Sequence, residues 1–473
     1  SELNFEKDLN IESTEVRDIF CVSEGAVGNI KGDMHVTGTT EDGHQNYYDM
    51  RNSGTLNVAG NVSFEGTNNL HIFDKSELNV GKNATFNEGE FSVTENSNAK
   101  IDGDLTLNHV SDTNIWNKAS DGSSITVGGN LSLSGLYKEG TGDFTTSAGA
   151  DEYHRNRLFA NGEGSSINVK GNTTVSNNAE LFAQTYSNPI GNPDYEKYID
   201  KTTFKDLGRA TFEGDVNLST NAKLGAYNAG EVTVDGNVNA QTGGNLQAWD
   251  SDATLTVKGE AKFTGSDSRI QAGKTASIAI LGNTSLQDGS IELYNKGSLS
   301  VGGNASITGA GSIIANGNST LNVGKDLTIN ESRFEVNGNS TASIDGNLNL
   351  THVEDTNVWN QVNGNSSLTV NGDLNMKGHY MPGYYTEDND IKFIINGENG
   401  GASTALIKGD VNLTDNSHFM TQTYGHSQTD HTTYHPRDDF EKLSSTTIEG
   451  NVTVDRNSKL GAYSASDTFI EGN

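Results

Sequence analysis

A short phrase returns about every 22 residues along the whole chain: apolar-x-apolar, a glycine turn followed by Asn, Asp or Lys, then apolar-x-apolar again. Leu56-Asn57-Val58-Ala59-Gly60-Asn61-Val62-Ser63-Phe64 is one instance, and Leu299-Ser300-Val301-Gly302-Gly303-Asn304-Ala305-Ser306-Ile307 is another. A fixed period of this length belongs to a repeat architecture, whose coils each bury a thin face against their neighbours. The turn glycines anchor the phase. They include Gly32, Gly60, Gly81, Gly103, Gly303, Gly324 and Gly346, and Glu6 takes the equivalent place at the start. Apolar residues sit two and four positions to either side, which is the period-2 signature of two strands with one inward face. Glycine suits a corner with positive φ, and the Asn beside it tolerates the left-handed region and can stack in ladders.

A third apolar pair follows ten and twelve positions after the glycine, as in Leu70 and Ile72, Phe91 and Val93, Leu224 and Ala226, Leu246 and Ala248, and Phe334 and Val336. Three short strands per coil of about 22 residues predict an all-β fold, a right-handed parallel β-helix or β-solenoid. Helical periodicity is absent. Apolar residues make up only 32% of the chain, which is lean for a compact core and enough for a thin solenoid. The reading is one continuous β-solenoid over residues 1–473, a segment of a longer chain.

Charge narrows the partners. A net charge of -31 argues against nucleic acid and anionic lipid, both of which need Lys and Arg clusters. The single cysteine, Cys21, excludes an internal disulfide framework. No apolar run reaches the roughly 18 residues of a membrane span.

A longer repeat is laid over the coils. Ile101-Asp102-Gly103-Asp104-Leu105 recurs as Ile344-Asp345-Gly346-Asn347-Leu348, and Asn114-Ile115-Trp116-Asn117 recurs as Asn357-Val358-Trp359-Asn360. Copy one runs over about 32–281 and copy two, incomplete, over about 282–473. Loop insertions interrupt the coil at about 135–156 and 184–208, and again at about 378–390 and 422–445. The strand phases put each pair at the two corners flanking the third strand. All four prolines lie in these insertions, as non-ladder backbone requires.

Aromatic residues gather there. Tyr137, Tyr153, Tyr186, Tyr195 and Tyr198 lie in or beside the first pair, with Trp116 in the preceding coil. Tyr380, Tyr384, Tyr385, Tyr424 and Tyr434 lie in or beside the second, with Trp359 in the preceding coil. Loops on a rigid scaffold are where function concentrates. These aromatics either line a surface that stacks sugar rings or anchors a protein, or form satellite cores beneath the loops.

Other constellations carry less. His426, His431 and His435, near His418, Asp430 and Asp438, are weak metal candidates, because residues 184–208 of the other copy hold no counterpart. Acidic side chains are numerous enough for a structural Ca²⁺ ion, yet no calcium-binding repeat is present. Asn-x-Ser/Thr sequons at Asn61, Asn130, Asn172, Asn283, Asn304 and Asn451 each follow a turn glycine, so turn chemistry accounts for them. Gly273-Lys274-Thr275 lacks the first glycine of a phosphate-binding loop and reads as a turn. Polysaccharide-cleaving β-helices use carboxylates with basic companions at one place. Here the carboxylate pairs lie in loops and the distinctive region is duplicated, so the chain does not read as an enzyme.

The Gly-Asn turns, the coil of about 22 residues and the super-repeat resemble the passenger region of Gram-negative autotransporter adhesins and filamentous-haemagglutinin-like surface proteins. The resemblance covers essentially the whole chain and is one of repeat style. It implies an extracellular stalk at the bacterial cell surface, tethered to the outer membrane, with loops that attach to a host or neighbouring-cell glycan or protein. The alternative is a structural, self-assembling surface filament or surface-layer-like subunit.

Overall fold

The structure is a computed structural model that describes residues 1–12, 18–38, 46–109, 111, 114–136, 155–186, 200–352, 354, 358–380, 391–397, 401–423, 441–463 and 465–473. The chain divides into two compact units, Ser1–Gly259 and Glu260–Asn473. Both are parallel β-solenoids. The one helical element among the described residues is a 3-10 turn at Lys201–Thr203.

A single coil of the first unit shows the plan. Thr55–Val58, Val62–Glu65 and Asn68–Ile72 form three strands, one for each of three sheets. Each pairs in parallel with its equivalent one coil on: Leu56 with Leu78, Phe64 with Phe86, and Leu70 with Phe91. The second unit repeats the plan with Ser298–Val301, Ala305–Thr308 and Ser312–Asn316. Its registers run Leu299 to Leu321, Ile307 to Ile329 and Ile313 to Phe334. Alternate side chains point inward, as a pleated strand demands. The third apolar pairs of the coil, from Leu70 and Ile72 to Phe334 and Val336, are no more than 1% exposed. Inside the first unit Phe64, Phe86 and Phe91 stack with ring centroids 5.1 and 4.8 Å apart. Inside the second, Phe393 stacks on Phe419 at 5.5 Å.

The Gly-Asn corner is held by a side-chain ladder. The Asn or Asp of each coil accepts, through Oδ1, the backbone N–H of its equivalent one coil on. In the first unit the ladder includes Asp33 to Asn61 N–H at 2.7 Å, Asp104 to Asn130 at 2.7 Å and Asn130 to Asn172 at 2.9 Å. In the second it runs from Asn283 to Asn304 N–H at 2.9 Å and on to Asn451 and Asn473 at 3.0 Å. All six sequon asparagines belong to this ladder. The N–H of Asn61 holds the Asp33 carboxyl below its ordinary range.

Two expectations about this corner need correction. The corner glycines are absent from the positive-φ residues, and so are the ladder asparagines. Glycine is required instead by close approach: a Cβ at Gly60 would overlap Asp33 Oδ1 and stand 2.6 Å from the carbonyl oxygen of Gly32. Left-handed backbone lies at the other two corners, in pairs such as Asn52 and Ser53, Asn177 and Asn178, or Asn295 and Lys296. Such pairs match the two central positions of a type I′ turn. Lys274 and Thr275 form another of them, so Gly273-Lys274-Thr275 is a turn.

The register also moves three anchors. Val58 pairs with Val80 and Val62 with Ala84, which sets Lys82, not Gly81, at the corner. By the same step Lys325 replaces Gly324, and Lys7 replaces Glu6. The ladder records the cost of a side chain there. Its bonds measure 3.3 Å at Asn83 and 3.2 Å at Asp326, the residues after Lys82 and Lys325. Elsewhere, as at Asn61 and Asn347, they measure 2.7 and 2.8 Å. Gly60→Ala is therefore expected to stretch the Asn61 bond in the same way and cost about 1–2 kcal/mol. Hydrogen exchange at the Asn61 amide checks this; unchanged protection would refute the close-approach account.

Buried serines form a second, internal ladder where the chain enters the first sheet. Ser97 Oγ accepts the Ser76 N–H at 3.1 Å, and Ser123 Oγ accepts the Ser97 N–H at 3.0 Å. Ser340 and Ser366 do the same for Ser319 and Ser340, at 3.0 and 3.1 Å. The longer sequence repeat thus reappears in buried polar detail.

Candidate binding face on the third sheet

The strands of the third sheet around the insertions are five or six residues long. In the first unit they are Ile115–Ser120, Asn156–Asn161, Glu180–Gln184 and Lys223–Tyr227. In the second they are Val358–Asn363, Ile391–Asn396, Ser417–Gln422 and Lys459–Tyr463. Residues 137–154 and 187–199 fall between described strands at the two corners flanking this sheet, as do 381–390 and 424–440.

Buried asparagines set the strand that bears each tryptophan. Asn117 accepts the Phe91 N–H at 2.8 Å and donates to Asn156 Oδ1 at 2.8 Å. Asn360 accepts the Phe334 N–H at 2.9 Å. Just upstream, His109, fully buried, meets Glu88 at 2.9 Å, and His352 meets Glu331 in the same way. With Asn117 and Asn360 fixed inward, period 2 turns Trp116 and Trp359 outward. They are 43% and 38% exposed.

Each tryptophan carries a cation from the next coil. Trp116 pairs in register with Arg157, whose guanidinium lies 4.2 Å from the ring centroid. Trp359 pairs with Lys392, whose Nζ lies 4.7 Å from the ring. These are cation–π distances. An apolar column runs beside the first tryptophan: Phe159 meets Trp116 edge-on at 6.0 Å and stacks on Phe182 at 4.8 Å. Tyr227 then folds its ring back over Gly225, where a Cβ would stand 2.5 Å from the ring, and its hydroxyl donates to Gln247.

The columns of charge differ between the two units. In the first, Glu180 lies between Arg157 and Lys223 in the ladder. It receives Arg157 at 2.8 Å, Arg155 at 3.1 Å and Lys223 at 3.3 Å. Burial alone would raise its pKa, but Lys223, Arg155 and Arg157 overcome this and hold it at about 2. In the second, His418 occupies that place between Lys392 and Lys459. Upstream in the first unit, burial pushes Glu90 up and brings His71 down to about 4.

Of the tyrosines singled out in the sequence, Tyr186 stacks on Phe204 at 5.7 Å, a small satellite cluster, and Tyr380 is 41% exposed. Tyr137, Tyr153, Tyr195, Tyr198, Tyr384, Tyr385, Tyr424 and Tyr434 lie outside the described residues, as do His426, His431 and His435. Among the described residues no group of three or more His, Cys, Asp or Glu side chains is placed to hold a metal ion. Sequence reasoning missed Arg157, Phe159, Glu180, Phe182 and Lys392, and placed His418 only beside the histidines weighed for a metal. Their signal was the outward half of the same period-2 pattern that marked the core.

No protein-family model, curated protein or solved structure matches the chain.

Proposed function

We propose that this chain is an extracellular stalk of a bacterial cell surface that presents its third-sheet face and flanking loops for attachment. The observation that carries the reading is the recurrence, in both units, of an outward tryptophan under a cation at the corner where the loops enter. Exposed indole rings serve as anchors for sugar rings or protein surfaces. The ladders of core and corner supply the rigid support such a face needs. Shortening 187–199 and 424–440 to four-residue turns is expected to reduce cell attachment more than tenfold with the β-sheet circular dichroism unchanged. Equal attachment by the shortened chain would sink the reading. Electron microscopy over a concentration series tests the rival: ordered fibres growing with concentration would mark a self-assembling filament.

A further inference from the structure

We infer that a trough on the outer face of the first sheet, in the first unit, binds a glycan that carries an N-acetylated amino sugar. The inference goes beyond the attachment reading and uses none of its residues. Outward positions of successive coils form a ladder of asparagine amides: Asn29 Nδ2 donates to Asn4 Oδ1 at 2.8 Å, Asn57 to Asn29 at 2.9 Å and Asn79 to Asn57 at 3.0 Å. An amide group has two N–H donors and two lone pairs, so the ladder leaves each asparagine with bonding capacity facing out. It stops at Asn79, because the next coil puts Lys100 in register with it and Lys100 Nζ turns to Asp102 at 2.7 Å. Among the described residues no donor reaches Asn79 Oδ1. That oxygen is the acceptor end of a series of bonds that all point one way. Aligned hydrogen bonds polarise one another, so it attracts an N–H strongly.

Amide ladders recur on this solenoid, as from Asn412 through Asn375 to Asn349 on the second sheet. The one that ends at Asn79 also borders a trough of about 290 Å³, at the lower end of ligand pockets. The column beside the amides explains the hollow. Lys31, Ala59, Gly81 and Asp102 follow one another coil by coil, and Ala59 and Gly81 have no long side chain to cover it. Lys31, bonded to Glu6, and Lys100, bonded to Asp102, close the two ends. Both lysines are thus matched by carboxylates, and Lys82 at the corner acts on Asp33, so the trough favours an uncharged ligand. A hollow closed at both ends takes a compact group rather than a peptide that runs on past it. An acetamido sugar fits these demands. Its N–H donates to Asn79 Oδ1, its acetyl methyl lies on Ala59 and Gly81, and its hydroxyls meet the remaining polar atoms of Asn57 and Asn79.

Isothermal titration of the full chain with diacetylchitobiose tests this, with cellobiose and the peptide acetyl-diglycine amide as controls. The expected result is one site per chain for diacetylchitobiose, insensitive to added salt, with cellobiose at least tenfold weaker and the peptide not binding. Asn79→Leu, which removes the acceptor, and Ala59→Gln, which fills the trough, should each weaken binding at least tenfold with the β-sheet circular dichroism unchanged. Thr233→Leu, further along the same face, should change it less than twofold. No binding of diacetylchitobiose, equal binding of cellobiose, or an equal loss in Thr233→Leu would overturn the proposal. Binding of the peptide alone would overturn it in favour of a protein partner. The chain with 187–199 and 424–440 shortened should bind diacetylchitobiose as the wild type does, which keeps this site separate from the attachment reading; lost binding there would move the site to the loops and overturn the proposal.

Discussion

Phe86→Ala is expected to cost about 3–5 kcal/mol, as removal of a fully buried aromatic ring does. Phe86 is 1% exposed and stacks on both Phe64 and Phe91. Its loss opens a cavity that the neighbouring coils cannot close, because their backbones are tied at fixed register by three parallel sheets. The damage should also be local. Each coil touches only its neighbours, so stability in a solenoid is close to a sum of nearest-neighbour terms. Hydrogen exchange should show lost protection in Thr55–Ile72, Glu77–Val93 and Asn98–Ile101, with the coil at Glu231–Trp249 unaffected. Phe86→Leu, which keeps most of the volume, should lose less than about 1.5 kcal/mol. A uniform loss of protection throughout the unit would contradict this one-dimensional picture.

Glu180 gives the second large effect, and its sign follows from its environment. Its folded-state pKa lies at about 2, below the ordinary 4.5, so the folded state favours the charged form. That contribution, about 3 kcal/mol, is complete above the ordinary carboxylate range and is lost as pH falls from there toward the folded value. Glu180→Gln should destabilise the first unit by about 3–5 kcal/mol at neutral pH, since Arg155, Arg157 and Lys223 would face one another without their carboxylate. The gap between wild type and variant should then narrow as the pH is lowered through this window. Chemical denaturation at a series of pH values checks it; a gap that stays constant would mean that the charge on Glu180 is not what stabilises the fold.

The coil was readable because solenoids convert a local pattern into a global one. Leu56, Val58, Val62 and Phe64 alternate with polar neighbours, and each coil repeats the same inward set in register. Period, strand number, parallel pairing and the placing of Leu158 and Leu181 in the third strand all follow from that alternation. The corner was legible as a position and not as a mechanism. Gly60 and Asn61 announce a turn, and turn chemistry suggests positive φ, yet the glycine answers to the Asp33 side chain one coil away. That neighbour is 28 residues distant in sequence, so no local propensity reports it.

The face on the third sheet divides in the same way. Trp116 and Trp359 stood out because they recur at matching places beside the insertions. The residues that give them chemistry come from the next coils: Arg157 lies 41 positions beyond Trp116, across an insertion, and is brought to its ring only when the strands pair. The sequence by itself determined the inward half of every strand, because burial of alternate apolar side chains is imposed residue by residue. Only the tertiary structure decided the outward half, because what a surface side chain meets depends on the register with strands one coil away and on the length of the loop between them.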